Sequence, residues 1–171
     1  MRLTVFTDYS LRVLVFLACE PDRRATVAAI CAAFDIKLNH LTKVVHQLAR
    51  HGWVTTVRGK GGGLMLGRPA EQICIGDVVR DAEGEPLPAE CFSAQTSRCA
   101  IANHCQLRGV LGEAVTAFYA VLDHYTLADI AGNREELVHL LRFTAPAQAN
   151  GGGVVPPHRQ RSTRHDPLAA N

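Results

Sequence analysis

Two closely spaced helical segments followed at once by a glycine-rich hairpin constrain this fold more than any other feature of the sequence. The segment LNHLTKVVHQLARHG carries its apolar residues on one stripe and ends at Gly52, a residue suited to a left-handed C-terminal cap. A shorter segment, capped by Thr26, precedes it across the link Asp35-Ile36. The β-prone arms of the hairpin, Trp53 to Val57 and Leu64 to Leu66, flank a tip of basic residues and glycines. This order predicts a helix-turn-helix with a two-stranded wing.

Further helices are expected on both sides of this unit. Thr7 and Asp8 are good N-cap residues for a first helix running from about Asp8 to Cys19. Short helices are expected from Ile75 to Ala82 and around Arg134 to Leu141. Between them an apolar stripe with helical spacing extends for about five turns, and its members are Leu107, Val110, Leu111, Ala114, Phe118, Val121, Leu122 and Tyr125.

A long helix with one apolar face that projects past a small domain needs a partner, and two-fold homodimers dominate among soluble oligomers. The alternative is that the helix packs on its own domain. We expect a mainly α fold with four parts: a winged helix-turn-helix domain at residues 1–82, a cysteine-bearing loop at 83–106, a dimerisation helix and terminal helix at 107–142, and a tail at 143–171. The tail is rich in Gly, Pro and polar residues without periodicity, which predicts disorder.

Charge is distributed unevenly along the chain. Residues 1–68 carry ten Lys and Arg against four Asp and Glu, whereas residues 69–141 carry four against eleven. A basic first part indicates that this part meets a polyanion, with chance clustering of solvated charge as the plain alternative. No run of roughly eighteen apolar residues is present, and Arg12 interrupts the apolar stretch LRVLVFLAC. We therefore expect a soluble cytoplasmic protein with reduced thiols and no membrane partner.

In a winged helix-turn-helix the second helix of the pair enters the major groove of double-stranded DNA, and a dimer presents two such helices to a palindromic site. The outward residues of that helix are candidate DNA contacts: Asn39, His40, Thr42, Lys43, His46 and Gln47, with Arg50 at the far end expected to be solvated. At the wing tip, Arg58, Gly59 and Lys60 are placed to meet phosphates or the minor groove. A nucleotide-binding phosphate loop is disfavoured, because Lys60 precedes the glycines and a strand follows them.

Three cysteines, Cys91, Cys99 and Cys105, lie close together with the spacing C-x7-C-x5-C. Zinc sites prefer two tight pairs of cysteines, so structural zinc is the less favoured interpretation. Irregularly spaced loop cysteines suit an iron-sulfur cluster, although a cluster needs four ligands and only three are close in sequence. The remaining cysteines lie in apolar segments and are expected to be small buried side chains: Cys19, Cys31 and Cys74.

Two rival functions use the same residues. In one, the chain is an iron-sulfur electron carrier whose basic half docks an acidic protein, which the wing and the recognition helix argue against. In the other, Cys91 or Cys99 forms a disulfide on oxidation in a metal-free thiol-disulfide transcription regulator. We expect no enzyme, since no nucleophile with a base and no pair of carboxylates occurs at useful spacing.

Several motifs in fixed order carry a family resemblance. The opening MRLTVFTDYSLRVLVFLA, the helix-turn-helix, the wing VRGKGGGLML, the segment IGDVVRDAEG and the three-cysteine loop together resemble the NsrR/IscR family of iron-sulfur winged-helix repressors, over about residues 1–140. Within it, FTDYSLR and the loop are most similar to the nitric-oxide-sensing NsrR type. The IscR-like branch is expected to have a histidine three residues after its last cysteine, and this chain has Arg108 there.

The resemblance implies an iron-sulfur cluster, of the 4Fe–4S or 2Fe–2S type, held by Cys91, Cys99 and Cys105, with Asp8 of the partner subunit as the fourth ligand. Arg12 can pair with Asp8 at i, i+4 and orient it, whereas an N-cap role competes for the same carboxylate. The first two cysteines are farther apart than is typical of the family, which leaves the cluster type open. The resemblance also implies a homodimeric repressor that leaves its operator when nitric oxide damages the cluster, or a biogenesis-type or redox-type regulator of the same family.

Overall fold

The computed structural model of the chain describes residues 2–84, 88–93 and 98–141. The elements of the described residues are α1 (Val5–Cys19), α2 (Val27–Phe34), α3 (Leu38–Arg50), β1 (Val54–Val57), β2 (Gly63–Leu66), α4 (Ile75–Glu83), α5 (Gln106–Asp123), α6 (Leu127–Ile130) and α7 (Arg134–Leu141). Short 3-10 turns lie at Ala70–Gln72 and Glu90–Phe92. The expected mainly α fold with a two-stranded wing is confirmed, while the tail at 143–171 lies outside the described residues.

Helix α1 begins earlier than the sequence predicts. Thr4 is its N-cap, and the Thr4 hydroxyl accepts a hydrogen bond from the Thr7 backbone N–H at 3.2 Å. Thr7 is fully buried within the helix, and Asp8 lies in the first turn. The expected N-cap role of Thr7 and Asp8 is therefore wrong. Thr4 offers the same capping chemistry, and its own backbone N–H is anchored by the Glu83 carboxylate at 2.7 Å.

Helix α1 forms the centre of the core. Its buried residues include Val13, Leu14 and Leu17, and it contacts α2, α3, α4, α6, α7 and β2. The apolar stripe of α3 is buried against it as predicted, and its members are Leu41, Val44, Val45 and Leu48. Helix α2 contributes the fully buried Ile30. This packing leaves the opposite face of α3 toward solvent.

Strands β1 and β2 form the predicted antiparallel hairpin. An isolated bridge between Ala25 and Leu64 joins the α1–α2 connection to this sheet. Gly63 is required beside it, because a Cβ at this position would lie 2.8 Å from the Ala25 carbonyl oxygen. The chain enters the hairpin through Gly52, whose φ of 73° is the left-handed conformation predicted for the end of α3.

Helix α5 divides its predicted apolar stripe between two environments. Phe118 and Leu122 pack on the core, together with Val115 and Tyr119, which lie outside the predicted stripe. Leu107, Val110 and Val121, and Tyr125 just after the helix, are at least half exposed in the single chain. The alternative of packing on its own domain therefore holds for one face only. Among the described helices, none has the length and apolar character needed to cross a membrane.

Candidate DNA interface and cysteine loop

The face of α3 opposite the core carries most of the predicted DNA contacts. Its exposed residues include Asn39, His40, Thr42, Lys43, His46 and Arg50. Gln47 differs, because it is half-buried on the flank of the helix, where its amide nitrogen lies 3.0 Å from Nε2 of His51. The structure thus gathers most candidates on one polar, basic surface and ties Gln47 to the end of the helix.

The wing tip is exposed as well. Arg58, Gly59 and Lys60 are all exposed, and the φ of 96° at Gly59 lies in the region that favours glycine. Arg24, from the α1–α2 connection, donates a hydrogen bond to the Gly61 carbonyl oxygen at 2.8 Å and so supports the tip. Sequence analysis misses Arg24, because only its position in space relates it to the wing.

A carboxylate of α4 joins the end of α3 to the start of the wing. Asp81 Oδ2 accepts a hydrogen bond from the Trp53 indole N–H at 2.8 Å and lies 3.0 Å from Nδ1 of His51. The Arg68 guanidinium covers the Trp53 ring at 4.4 Å from the ring centre. No local sequence pattern marks this junction, since Trp53 and Asp81 are 28 residues apart.

The cysteine loop is anchored to the beginning of α5. Cys91 is half-buried in a 3-10 turn whose Phe92 ring lies under the Arg108 guanidinium, 5.6 Å from the ring centre. Cys99 is exposed, and its carbonyl oxygen accepts a hydrogen bond in a tight turn. Cys105 is half-buried and is the N-cap residue of α5. All three are free thiols, so the loop keeps its donor atoms available.

The distances between donor atoms distinguish a single ion from a cluster. Among the described residues, the three donors that lie within 4.8 Å of one another belong to Cys74, Asp77 and Asp123, and the loop cysteines form no such group. A single zinc ion needs that closeness, whereas a cluster spreads its thiolates over several iron atoms. The described loop cysteines therefore present no ready-made site for a single zinc ion.

Cys74 is not the buried side chain that the sequence predicts. It is only half-buried, and its thiol donates to the Asp123 carbonyl oxygen at 3.8 Å. Two terminal nitrogens of Arg80 each bind Asp123 at 2.7 Å, and these hydrogen bonds hold the pKa of Asp123 below its ordinary value. The group around Cys74 is therefore an ion-paired contact between α4 and α5.

The two remaining cysteines fit the predicted role more closely. Cys19 is fully buried, and burial raises the pKa of its thiol. Cys31 is partly buried against the core, and burial raises its pKa as well. Both thiols are thereby less available as thiolate ligands.

Asp8 and Arg12 pair along α1 as the sequence predicts. Arg12 Nε donates to Asp8 Oδ1 at 3.1 Å, and its terminal nitrogen lies 2.9 Å from Oδ2. The Asp8 side chain remains 46% exposed, so it can be reached by another molecule. The described part of the subunit contains no donor group that unites Asp8 with the loop cysteines.

Glu83 connects the start of α1 to the end of α4, directly before the cysteine loop. Its carboxylate accepts hydrogen bonds from the Thr4 backbone N–H and the Thr7 hydroxyl. Burial alone would raise the pKa of Glu83, but these hydrogen bonds outweigh it and hold the pKa below its usual value. Sequence analysis misses this contact, which spans 79 residues between Thr4 and Glu83.

A helix-turn-helix with an exposed polar face, flanked by a basic glycine-rich wing, defines the class of winged-helix transcription regulators. The sequence profile of the Rrf2 family, described as "Iron-dependent Transcriptional regulator", matches residues 3–133. This chain belongs to that family, which confirms the expectation of a regulator rather than an enzyme.

Named relatives agree with this assignment. The HTH-type transcriptional regulator NsrR of Bacillus subtilis (strain 168) is 47% identical over 144 residues, which cover 84% of this chain and 99% of that protein. The regulator of the same name from Shouchella clausii (strain KSM-K16) is 40% identical over 149 residues, with 86% of this chain and 100% of that protein covered. The predicted resemblance to NsrR-type regulators is confirmed.

Solved structures show the same fold. CymR (YrzC), the global cysteine regulator of B. subtilis, matches with a TM-score of 0.59 and 25% identity, over 78% of this chain and 98% of its own. T. potens IscR matches with a TM-score of 0.62 and 24% identity, over 80% of this chain and 90% of its own.

Proposed function

We propose that this chain is a cytoplasmic, homodimeric repressor that holds an iron-sulfur cluster, binds palindromic operator DNA and leaves it when exposed to nitric oxide. The observation that carries the proposal is the position of three free thiols, on the segment between α4 and α5. The segment 83–106 thus lies between the DNA-reading part at residues 1–82 and the subunit-pairing part at 107–142. A group bound to this segment is therefore connected along the chain to both the DNA-binding part and the subunit-pairing part.

DNA is read by α3 and the wing. Asn39, His40 and Lys43, in the first turns of α3, approach base edges and flanking phosphates in the major groove, together with Thr42, His46 and Gln47. The exposed wing tip brings Arg58, Gly59 and Lys60 to phosphates or to the minor groove. The basic balance of residues 1–68 supports this contact with a polyanion.

Two copies pair through the exposed face of α5. Leu107, Val110, Ala114, Ala117 and Val121 are spaced alternately by three and four residues, the heptad spacing of a coiled-coil seam. Exposed apolar side chains in one contiguous row are costly in water unless a second surface covers them. A two-fold axis beside α5 covers both copies of the row at once.

The thiolates of Cys91, Cys99 and Cys105, with the carboxylate of Asp8 from the partner subunit, supply four ligands for the cluster. Cys105 occupies the start of α5, where unpaired backbone N–H groups favour negative charge. Arg12 holds the Asp8 carboxylate in place through two contacts. The cluster would supply an iron atom held by the hard carboxylate of Asp8 rather than by a soft thiolate, and nitric oxide would react at that iron.

The contacts of α1 connect ligation by Asp8 to the placement of the recognition helix α3. Asp8 lies on α1, whose N-terminus is tied to α4 by Glu83, and α1 packs directly on α3. While Asp8 is engaged by the other subunit, the two α3 helices keep a fixed separation. Release of Asp8 and of the loop removes that constraint, so the helices no longer match the spacing of the half-sites.

The test is an anaerobic titration of the cluster-loaded dimer with nitric oxide. Visible absorption and binding to a palindromic promoter fragment are recorded on the same sample. Bleaching together with DNA release supports the proposal, and equal operator affinity before and after exposure contradicts it. Colourless protein that loses DNA binding on oxidation, with a disulfide at Cys91 or Cys99, would favour the thiol-disulfide regulator instead.

A matched pair of cysteine variants assigns the ligands. Cys99→Ser is expected to lower iron and sulfide content sharply and to abolish the response to nitric oxide, because a hydroxyl is a poor ligand for cluster iron. Cys31→Ser makes the same atom change in α2, away from the loop. This variant should retain the iron and sulfide content and the response to nitric oxide. Equal iron content in the two variants would remove the loop cysteines from the ligand set.

A further inference from the structure

We propose that Asp81 of α4 is a positioning residue for DNA recognition, which sets the orientation of the end of α3 and of the base of the wing. The inference rests on the proposed DNA-binding role of α3 and the wing. It adds a residue of α4, an element that belongs to neither DNA-reading part.

One carboxylate oxygen holds two elements together. Asp81 Oδ2 accepts the indole N–H of Trp53 at 2.8 Å and lies 3.0 Å from Nδ1 of His51. His51 directly follows α3, and Trp53 directly precedes β1. The turn between recognition helix and wing is therefore clamped at both of its ends from α4.

The same oxygen reaches a candidate DNA contact through His51. In the neutral imidazole, a carboxylate beside Nδ1 favours the tautomer that carries its proton on Nδ1, and Nε2 is then an acceptor. The Gln47 amide nitrogen, 3.0 Å from Nε2, donates to it. Asp81, His51 and Gln47 thus form a relay that fixes which way the Gln47 amide points. The orientation of a glutamine amide determines which base edge it can pair with.

Apolar packing alone does not fix these orientations. The buried stripe of α3 holds the helix against the core, but the hydrophobic effect is non-directional and permits small rotations. Hydrogen bonds to a charged acceptor are directional and stronger than those between neutral groups. Trp53 is only 6% exposed, so its indole N–H has little water to replace the Asp81 bond.

Helix α4 also connects the cysteine loop to α3 and the wing. It ends at Glu83, directly before the loop, and Glu83 holds the start of α1. Arg80, next to Asp81, holds the end of α5 at Asp123. A shift of α4 is therefore transmitted to α3 and the wing at Asp81, so this residue couples regulation to DNA reading.

The test compares Asp81→Ala with Asp77→Ala, which removes the same charge from the same helix one turn earlier. Asp77 is exposed and pairs with Arg80 on its own helix. The probes are an operator duplex selected from a random pool by the wild-type dimer and a scrambled duplex of equal length. Asp81→Ala is expected to reduce the ratio of operator to scrambled affinity by roughly tenfold to hundredfold, as expected for loss of charge-assisted hydrogen bonds. Asp77→Ala should leave the ratio unchanged.

Trp53 supplies a second readout, because it is the one tryptophan of the sequence. Asp81→Ala is expected to shift its fluorescence emission, whereas Asp77→Ala is not. Asp81→Asn keeps one acceptor oxygen and should recover part of the affinity ratio. In a double-mutant cycle with His51→Ala, the effects on operator affinity should be non-additive, because the two residues act as one unit.

The outcomes separate this inference from the proposed function. A wild-type dimer that binds both duplexes equally would overturn the proposed function itself. A wild-type dimer that selects the operator, with Asp81→Ala matching Asp77→Ala, would overturn only the positioning role. If Asp81→Ala fails to fold by circular dichroism, Asp81→Asn decides the matter: wild-type affinity ratio and emission in that variant contradict the inference, and a reduced ratio with a shifted emission supports it.

Discussion

The apolar stripes of α3 and α5 follow the same helical period but lie in opposite environments. On α3, Leu41, Val44, Val45 and Leu48 are each less than 8% exposed. On α5, Leu107, Val110 and Val121 are 62%, 60% and 59% exposed. The stripe of α3 is buried by the core of its own chain. Helix α5 presents a row of apolar side chains that the described part of the chain does not cover.

This difference shows which parts of the proposed function one copy of the chain can supply alone and which parts need a second copy. The recognition helix is positioned by the core of one subunit, so the DNA-binding shape exists before any partner arrives. The α5 face gains its proposed partner only in a dimer, and the exposed carboxylate of Asp8 gains its own only in a dimer that holds the cluster. In the proposed function, regulation therefore acts on the relation between two DNA-binding domains that are already folded.

Breaking the α5 face gives the largest expected effect. Val121→Glu places a charge in the proposed seam of both copies, and each buried unpaired charge costs about 3 kcal/mol or more. The variant should be monomeric in sedimentation velocity and should lose tight operator binding while keeping its helical content. Ala120→Glu adds the same charge at the neighbouring exposed position, off the seam, and should remain dimeric. Identical sedimentation of the two variants would show that α5 does not pair the subunits.

Truncating one leucine on each helix sharpens the comparison. Leu41→Ala empties a fully buried position on α3 and is expected to lower the free energy of unfolding by about 2–5 kcal/mol. Leu107→Ala deletes the same atoms from the exposed face of α5 and should cost less than about 0.5 kcal/mol within one subunit. Urea unfolding of both variants in the Val121→Glu background measures the subunit without its partner. Equal losses would mean that the α5 face is covered within the subunit.

The regular elements were predictable from the sequence because their signals are local. The stripe of α3, the Thr26 cap, the left-handed Gly52 and the β-prone arms of the wing each lie within one element, and all are confirmed. The stripe of α5 was predicted too. Periodicity identifies an apolar face, but it does not say which members pack on the subunit and which remain exposed.

The contacts between elements could not be predicted in this way. Thr4 caps α1 in place of Thr7 or Asp8, and its backbone N–H donates to Glu83, 79 residues away. Cys74 looks like a core residue from its apolar neighbours, but its thiol lies at the α4–α5 contact beside Asp123. Such pairings depend on the fold as a whole and leave no mark in the spacing of nearby residues.

Glu83→Gln should lower the free energy of unfolding by an amount that depends on pH, because Glu83 bonds the start of α1 to the end of α4. The hydrogen bonds at Glu83 lower its pKa in the folded state, so the unfolded chain takes up a proton more readily. The stabilisation is therefore present above the ordinary pKa of Glu and is lost as the pH falls through the lower folded value. At neutral pH the variant should lose about 1 kcal/mol of unfolding free energy, a modest figure because the group is partly exposed.

Urea unfolding across the acidic range measures this dependence. The difference between wild type and Glu83→Gln should shrink as the pH falls, because both chains then carry an uncharged side chain at position 83. Glu113→Gln, an equivalent change at an exposed position of α5, provides the control and should show no comparable trend. A difference that stays constant with pH would contradict the role assigned to the ionised carboxylate.

Gly76→Ala tests the contact between α4 and α5 with the smallest expected effect. A Cβ at Gly76 would lie 1.8 Å from Asp123 Oδ1 and 3.0 Å from an Arg80 terminal nitrogen, so the Asp123 side chain has to swing away. Alanine is the better helix former by up to about 1 kcal/mol, which offsets the displaced ion pair. A Cβ at Gly109 on α5 would meet no atom within 4 Å. Gly109→Ala should therefore gain the helix propensity of alanine without displacing an ion pair. Gly76→Ala should therefore stabilise less than Gly109→Ala. The pKa of Asp123, followed by NMR, should rise toward its ordinary value because the displaced carboxylate loses its hydrogen bonds from Arg80. An unchanged Asp123 pKa, with equal stabilisation by the two alanines, would mean that α4 and α5 do not meet at this carboxylate, and α4 would then lose its link to the subunit-pairing helix.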